Sequence, residues 1–337
     1  MKKPKIKINF KYFWPNFDPK NNYFTDLLRK NYTVEIKKDP NIMFYSVFQQ
    51  GNTTNPTNWE NPLLKPIRKM STFFEDTFPN FHNALKKAIY TKPQFKMNEL
   101  EGNFVKVFYT EENVKPVMNK CDWAFSFEYD DEFNHPKHMR LPYYAFESPN
   151  FGKELIKHKK PIIKDKKFCS FIYSAKNYFR EDFFRKLSKY KHVDAPGKRM
   201  NNMPPIGSNT PQKSRNEKDW INQKVNFLKN YKFTVAFENE SYPGYTTEKI
   251  YTAMLAGSIP LYFGNPLIHR DFNTKSFLNL NDFKNMKDFV ETIKQVDTDK
   301  KMYKQYIEEP WFNDNTPSIF FDKQIMLNRL DEIIKST

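Results

Sequence analysis

In KIKINFKYF, near the start of the chain, Ile6, Ile8, Phe10 and Tyr12 fall on one side of an extended backbone and Lys5, Lys7, Asn9 and Lys11 on the other. This two-residue period is that of a half-buried strand. YFTDLLRKNY (23–32) reads as a helix, and TVEIKK (33–38) and IMFYSVF (42–48) read as strands. NFVKVFYT (103–110) and CDWAFSF (121–127) continue the strand series, ahead of an acidic turn at Tyr129-Asp130-Asp131-Glu132 and the stretch MRLPYYAFE (139–147). A second run opens with the strand FCSFIYS (168–174), the helix FREDFFRKLSKY (179–190) and the short strand HVDAPG (192–197). It goes on through the helix-like WINQKVNFLKNY (220–231), the strand KFTVAFEN (232–239), a helix over 247–256 and the strand SIPLYFG (258–264). Alternating strands and helices predict open α/β sheets.

A chain of 337 residues exceeds the usual size of one core, so the pattern is divided into two α/β domains, 1–160 and 161–312, facing a groove. The segment 313–337 is read as a C-terminal helix packing back on the first domain, because IMLNRLDEIIK (325–335) spaces its apolar residues helically. Residues 49–103, with Asn, Thr and Pro clusters at 52–62 and one helical pattern at 79–90, read as an insert in the first domain. KHKKPIIKDKK (157–167) is charged, contains a proline and lacks periodicity, which marks it as the linker.

Composition narrows the partners. The excess of 55 Lys and Arg over 39 Asp and Glu gives a net charge of +16, which suits an anionic partner: nucleic acid, a membrane surface or a phosphorylated small molecule. A nucleic-acid binder interleaves its aromatics with basic residues on an exposed platform; here the aromatics alternate into strand cores, so nucleic acid is set aside. Cys121 and Cys169 are the only cysteines, spaced like neither a metal knuckle nor a disulfide framework, and read as buried thiols. The basic start MKKPKIKINFKYFW is followed by no apolar stretch, so no signal peptide is expected, and no segment reaches the ~18 apolar residues of a membrane span. The expected location is cytoplasmic, or peripheral at a membrane with weak association.

The densest chemistry lies in FENESYPGYTTEKIYTAMLAGSIPLYFG (237–264). Phe233, Val235 and Phe237 alternate along a strand whose carboxyl end carries Glu238 and Asn239, and ligands of open α/β sheets bind at such ends. Pro243-Gly244 makes a turn, Thr246 or Thr247 caps the next helix, and Gly257 suits the left-handed residue that closes it. Lys249 stands in the first turn, where the helix dipole opposes a cation by about 0.3–1 kcal/mol. Arg180 repeats the anomaly in the helix after the strand expected to end at Ser174. Two cations at helix starts suggest a diphosphate held by amides and side chains together, the alternative being that Lys249 extends into water and Arg180 is a surface residue.

FENESYPGYTTEK followed by AGSIPLYFG resembles the signature of the α1,3/4-fucosyltransferases, glycosyltransferase family 10. DFNTKSFLNLNDF (271–283), VDAPGKRMNN (193–202), VFYTEENV and MRLPYYA are similar to further family segments, so the resemblance covers about 103–310 and the first strand and leaves 49–103 without a counterpart. It implies a GT-B fold, with acceptor glycan bound by the first domain and GDP-fucose by the second. The activity implied is inverting transfer of L-fucose to a hydroxyl, O3 of GlcNAc or a related sugar, on an oligosaccharide, lipopolysaccharide or glycoprotein. By the resemblance, Arg180 and Lys249 hold the diphosphate, Asn239 and Tyr245 lie near phosphate and fucose, Glu248 lies near ribose or fucose, Ser174 belongs to the donor site, and Glu112 is the catalytic base. No metal cofactor is required, although manganese stimulates some members. Asp297-Thr298-Asp299 has the form of a metal-binding Asp-x-Asp but reads as a helix end. A glycosyltransferase of the same fold using another nucleotide sugar is the alternative.

Overall fold

The computed structural model describes residues 3–15, 17–48, 97–147, 150–157, 165–206 and 217–337. The proposed helix at 79–90, and most of both the 49–103 insert and the 157–167 linker, lie outside the described residues. Among the described residues the first sheet has six parallel strands: β1 (Lys5–Lys11), β2 (Thr33–Ile36), β3 (Ile42–Tyr45), β4 (Val105–Tyr109), β5 (Trp123–Ser126) and β6 (His138–Arg140), in the order β2-β1-β3-β4-β5-β6. The second has, among the described residues, five: β7 (Lys167–Ser170), β8 (Val193–Asp194), β9 (Tyr231–Phe237), β10 (Ile259–Phe263) and β11 (Leu278–Asn279), in the order β11-β10-β9-β7-β8. Every recorded strand pair is parallel. Parallel strands need crossovers. These include α1 (Tyr23–Leu28) and α2 (Asp130–Phe133) in the first sheet and α5 (Tyr178–Ser188), α6 (Glu217–Leu228) and α7 (Glu248–Leu255) in the second, while α3 (Tyr143–Glu147) and α4 (Phe151–Lys157) lie between the last strand of one sheet and the first of the other. α8 (Met286–Thr298), α9 (Lys300–Glu308) and α10 (Lys323–Lys335) complete the chain.

Alternation along the strands sorts side chains to the two faces of the first sheet. Phe44, Val107, Tyr109 and Phe125 join the large core cluster, while Met43, Tyr45, Phe108 and Ala124 form a second with Met97, Leu100, Val114 and Cys121. Aromatic rings pack inside these cores: Phe24 stacks on Phe44 at 4.7 Å and Phe183 on Phe237 at 4.6 Å. Both cysteines are buried and free. Several elements end earlier than their apolar pattern. The strand expected over 168–174 stops at Ser170, and the acidic turn is the short helix α2.

The two sheets meet around one buried ion pair. Arg140, at the end of β6 and fully buried, reaches Asp271 of the second domain at 2.8 Å, bonds the carbonyl of Phe127 and lies 3.3 Å from that of Gly244. Tyr129 stacks on this guanidinium at 3.9 Å, and its hydroxyl accepts from Asn265 at 3.0 Å. Gly244 has φ +81°, and a Cβ there would lie 2.3 Å from the Phe127 carbonyl oxygen, so the turn fits only without a side chain. α10 returns to the first domain: Ser336 Oγ accepts from Trp123 Nε1 at 3.3 Å, and Arg329 donates to the Pro136 carbonyl at 2.9 Å.

Replacing Asp271 by Asn would leave a buried guanidinium without its counter-charge, which costs about 3–5 kcal/mol. Urea denaturation should show that loss; an unchanged midpoint would mean that the pair does not hold the domains together.

Candidate functional site

The carboxyl ends of β7 and β9 and the start of α7 build one side of the cleft. Glu238, fully shielded at the end of β9, accepts from the Thr247 amide at 2.7 Å and the Thr247 hydroxyl at 2.6 Å. Thr247 is the N-cap residue of α7, but the cap acceptor is the Glu238 carboxylate, because the Thr247 side chain makes no cap bond of its own. Gly264 makes room for this carboxylate: a Cβ there would lie 2.5 Å from Glu238 Cγ. Gly257 takes the left-handed conformation after α7, with φ +61°.

Lys249 is not the unpaired cation that its place in the helix suggests. Its ammonium lies 3.1 Å from Glu238 Oε2 and 3.6 Å from Glu248 Oε2. These carboxylates answer the dipole conflict from within the protein. Burial works against its charge, but Glu238 and Glu248 more than offset it and raise the Lys249 pKa. Burial likewise pushes Glu248 upward, yet Lys249 and Lys224 hold it down at about 2. Lys224 on α6 is buried, stands 3.8 Å from Glu248 and has its pKa lowered by desolvation. The sequence analysis missed it, because nothing in the α6 pattern separates a lysine facing α7 from one facing water.

Arg180, in the first turn of α5, is 3% exposed rather than a surface residue. Its guanidinium lies over the Tyr173 ring at 4.3 Å, its Nε is buried without a hydrogen-bond partner, and desolvation lowers its pKa. Among the described residues no carboxylate pairs with it. The Tyr173 hydroxyl accepts from the Phe237 amide at 2.7 Å, which holds the post-β7 loop against β9. Asn177 caps α5 and donates to the Asn239 carbonyl at 3.1 Å, bringing Asn239 beside Arg180's helix. Tyr245 is buried edge-on against Phe127 of the first domain at 5.4 Å. Ser174 is exposed in the loop beyond β7 and bonds none of these side chains, so the strand end that was to present it does not.

Across the cleft, the loop after β4 carries Glu111, Glu112 and Asn113. The strand ends at Tyr109, where the Thr110 hydroxyl accepts from the Glu112 amide at 3.1 Å, so strand alternation does not reach the two glutamates. They nevertheless face different surroundings. Glu111 acts electrostatically on Tyr109 and Tyr143 of the first domain. Glu112 faces Lys249, Glu240, Glu248 and Tyr245 of the second, and desolvation, with Lys249 opposing, raises it from 4.5 to about 7. Asn113 Nδ2 donates to Glu240 Oε2 at 2.5 Å, and Tyr242 to Glu128 at 3.1 Å, joining the two walls.

Asp297 and Asp299 form the helix end that the sequence indicated. Asp297 closes α8 against Lys191 (2.9 Å), Lys232 (2.8 Å) and Tyr190 (3.1 Å), and Asp299 caps α9. Lys232 begins β9 and Glu238 follows its end, which puts Asp297 about 20 Å from the cleft at ~3.3 Å per residue.

Comparison with known proteins bears on the family and the fold. The description "Glycosyltransferase family 10 (fucosyltransferase) C-term" matches residues 162–328, and "Alpha-(1,3)-fucosyltransferase FucT N-terminal domain" matches 8–56 and 69–147. The second match corrects the expectation that 49–103 lacks a counterpart, since only 57–68 falls outside it. A protein of Acanthamoeba polyphaga mimivirus provisionally named a fucosyltransferase is 33% identical over 219 residues, covering 65% of this chain and 34% of that one. Alpha-(1,3)-fucosyltransferase FucT of Helicobacter pylori is 28% identical over 336 residues, covering 90% of this chain and 63% of that one. The chain thus spans about one third and just under two thirds of the lengths of these relatives. A crystal structure of an α1,3-fucosyltransferase with GDP-fucose superposes with a TM-score of 0.67 at 22% identity, covering 99% of this chain and 91% of that one, which establishes the GT-B fold.

The raised Glu112 makes stability depend on pH. The folded protein holds this proton more tightly than the unfolded chain, so the contribution is fully present below pH 4.5 and is lost as pH rises through 7. Thermal midpoints should therefore fall less between these limits in Glu112→Gln than in wild type, and parallel profiles would contradict the shift.

Proposed function

Because this chain belongs to glycosyltransferase family 10, the fucosyltransferases, we propose that its cleft transfers L-fucose from GDP-fucose to a glycan hydroxyl with inversion at the anomeric carbon. The observation that carries this reading is Arg180: a buried cation in no ion pair among the described residues, at the same strand ends as Lys249, suits a diphosphate. In this reading Arg180 and Lys249 hold the diphosphate, Asn239 and Tyr245 flank phosphate and fucose, and Glu248 meets ribose or fucose. Ser174 keeps a donor role only if its loop folds over the nucleotide.

Glu112 takes the proton of the acceptor hydroxyl, whose oxygen forms the new bond to the anomeric carbon. The bond from that carbon to the β-phosphate oxygen breaks, and GDP leaves with the electron pair. A base titrating near 7 is matched to neutral conditions. Charge developing on the diphosphate is met by the preplaced Arg180 and Lys249, where electrostatic preorganisation is most effective. We assign the acceptor as O3 of GlcNAc or a related sugar on an oligosaccharide, lipopolysaccharide or glycoprotein, and no metal is assigned to the reaction, because the Asp-x-Asp carboxylates are engaged far from the cleft. Weak peripheral membrane association remains compatible with the +16 charge; no helix among the described residues is long and apolar enough to cross a membrane.

Arg180→Ala and Lys249→Ala should each weaken GDP binding by about 1.5–3 kcal/mol in calorimetry, and unchanged affinity in both would refute the donor site. Glu112→Gln should lower transfer from GDP-fucose to a GlcNAc-containing acceptor by about 10²–10⁴-fold with GDP affinity retained, while Glu111→Gln has little effect. Full activity of Glu112→Gln would remove the base. The double variant Asp297→Ala/Asp299→Ala should lose about 1.5–3 kcal/mol of stability while its turnover stays insensitive to EDTA; activity lost in EDTA, restored by manganese and abolished by the double variant would reverse this assignment.

A further inference from the structure

The base proposed above sits on a loop with no regular structure, so something other than β4 must fix it. Glu112 itself makes no hydrogen bond through its carboxylate among the described residues; its neighbour Asn113 does, to Glu240 at 2.5 Å. Glu240 lies beyond the end of β9, two residues after Glu238, and is half-buried. The contact therefore runs from the first domain's base loop to the second domain's donor loop.

We infer that Glu240 is a positioning residue, which clamps the 110–113 loop through Asn113 and so sets where Glu112 stands relative to the donor. The geometry separates two effects. The Asn113 amide bond fixes the loop, and it requires only an acceptor at position 240. The charge at 240 acts on Glu112 directly, in company with the other groups that face it: Lys249 and Glu248 from α7, and Tyr245 from the turn before it. A negative Glu240 disfavours a negative Glu112 and makes it the stronger base. Burial is the main cause of the raised proton affinity of Glu112; Lys249 opposes it, and Glu240 and Glu248 add to it. Glu240 is itself raised by burial, with the Asn113 bond holding it back toward the ionised form.

This inference rests on the reading of Glu112 as base, and a set of variants keeps the two apart. E240Q retains an acceptor for Asn113 but removes the charge, so the acid limb of the kcat/KM profile should move to lower pH by about 1 unit. E240A removes the clamp as well, and a misplaced base should lower kcat by about 10-fold or more while GDP affinity is retained. N113D places two carboxylates against each other and should be impaired most at high pH. Adding E240Q to N113D restores an amide–carboxylate pair in the reverse sense and should recover activity. An acid limb at the same pH in E240Q and wild type, or an N113D defect that E240Q does not relieve, overturns the role of Glu240. Full activity of E112Q overturns the base itself, whatever the E240 variants do.

Discussion

The relation between the two sheets hangs on Arg140. A guanidinium with no exposed surface is expensive to take out of water, and the cost is offset only if its partner and its geometry are fixed. Asp271 supplies the charge at 2.8 Å, and the carbonyls of Phe127 and Gly244 and the Tyr129 ring supply the rest of the cage. Its members come from both domains, so it can form only when the domains are in register. The absence of a Cβ at Gly244 lets them come that close. Once β6 and the turn before α7 are so placed, the ends of β4 and β9 oppose each other, and the Asn113–Glu240 and Tyr242–Glu128 contacts become available.

Within the second domain Glu238 organises the cleft wall built by β9 and α7. One carboxylate caps α7 through Thr247 and neutralises Lys249, so the ammonium is held in a defined position instead of wandering on its flexible stem. Arg180 is prepared differently, by an aromatic ring beneath it, with Glu238 and Glu248 acting on it electrostatically but no carboxylate in ion-pair contact among the described residues. Among the described residues this wall thus holds two cations in ion pairs, Lys249 and Lys224, and one, Arg180, outside any ion pair.

The β9-α7-β10 unit was legible in the sequence because its apolar period, its turn glycines and its helix start all lie in one continuous stretch, 231 to 264. The presence of Arg180, Glu248 and Lys249 at helix starts was legible for the same reason. What surrounds them was not. Arg140 and Asp271 are 131 positions apart, and neither stretch advertises the other. The pairing of Lys249 was missed because Glu238 was read as part of a strand end, although its direction depends on Gly264. Strand lengths failed in a physical way: Phe171 and Tyr173 remain buried after the ladder of β7 has ended, so the hydrophobic pattern outlasts the hydrogen bonds that define a strand. At Thr110, a hydroxyl bonding the amide two residues on ends β4 in favour of a turn.

The return of α10 to the first domain gives the chain an order of completion unlike its order of synthesis. Met326, Leu327, Leu330 and Ile333 are buried, and Trp123 and Arg329 meet at 5.5 Å. On the ribosome, the domain made first would keep the surface around α1 and Trp123 uncovered until the final helix emerged. The second domain, with all its strands between residues 167 and 279, can close its sheet sooner. The first domain is then made before the second and covered by α10 only after it, with its apolar surface open in the interval.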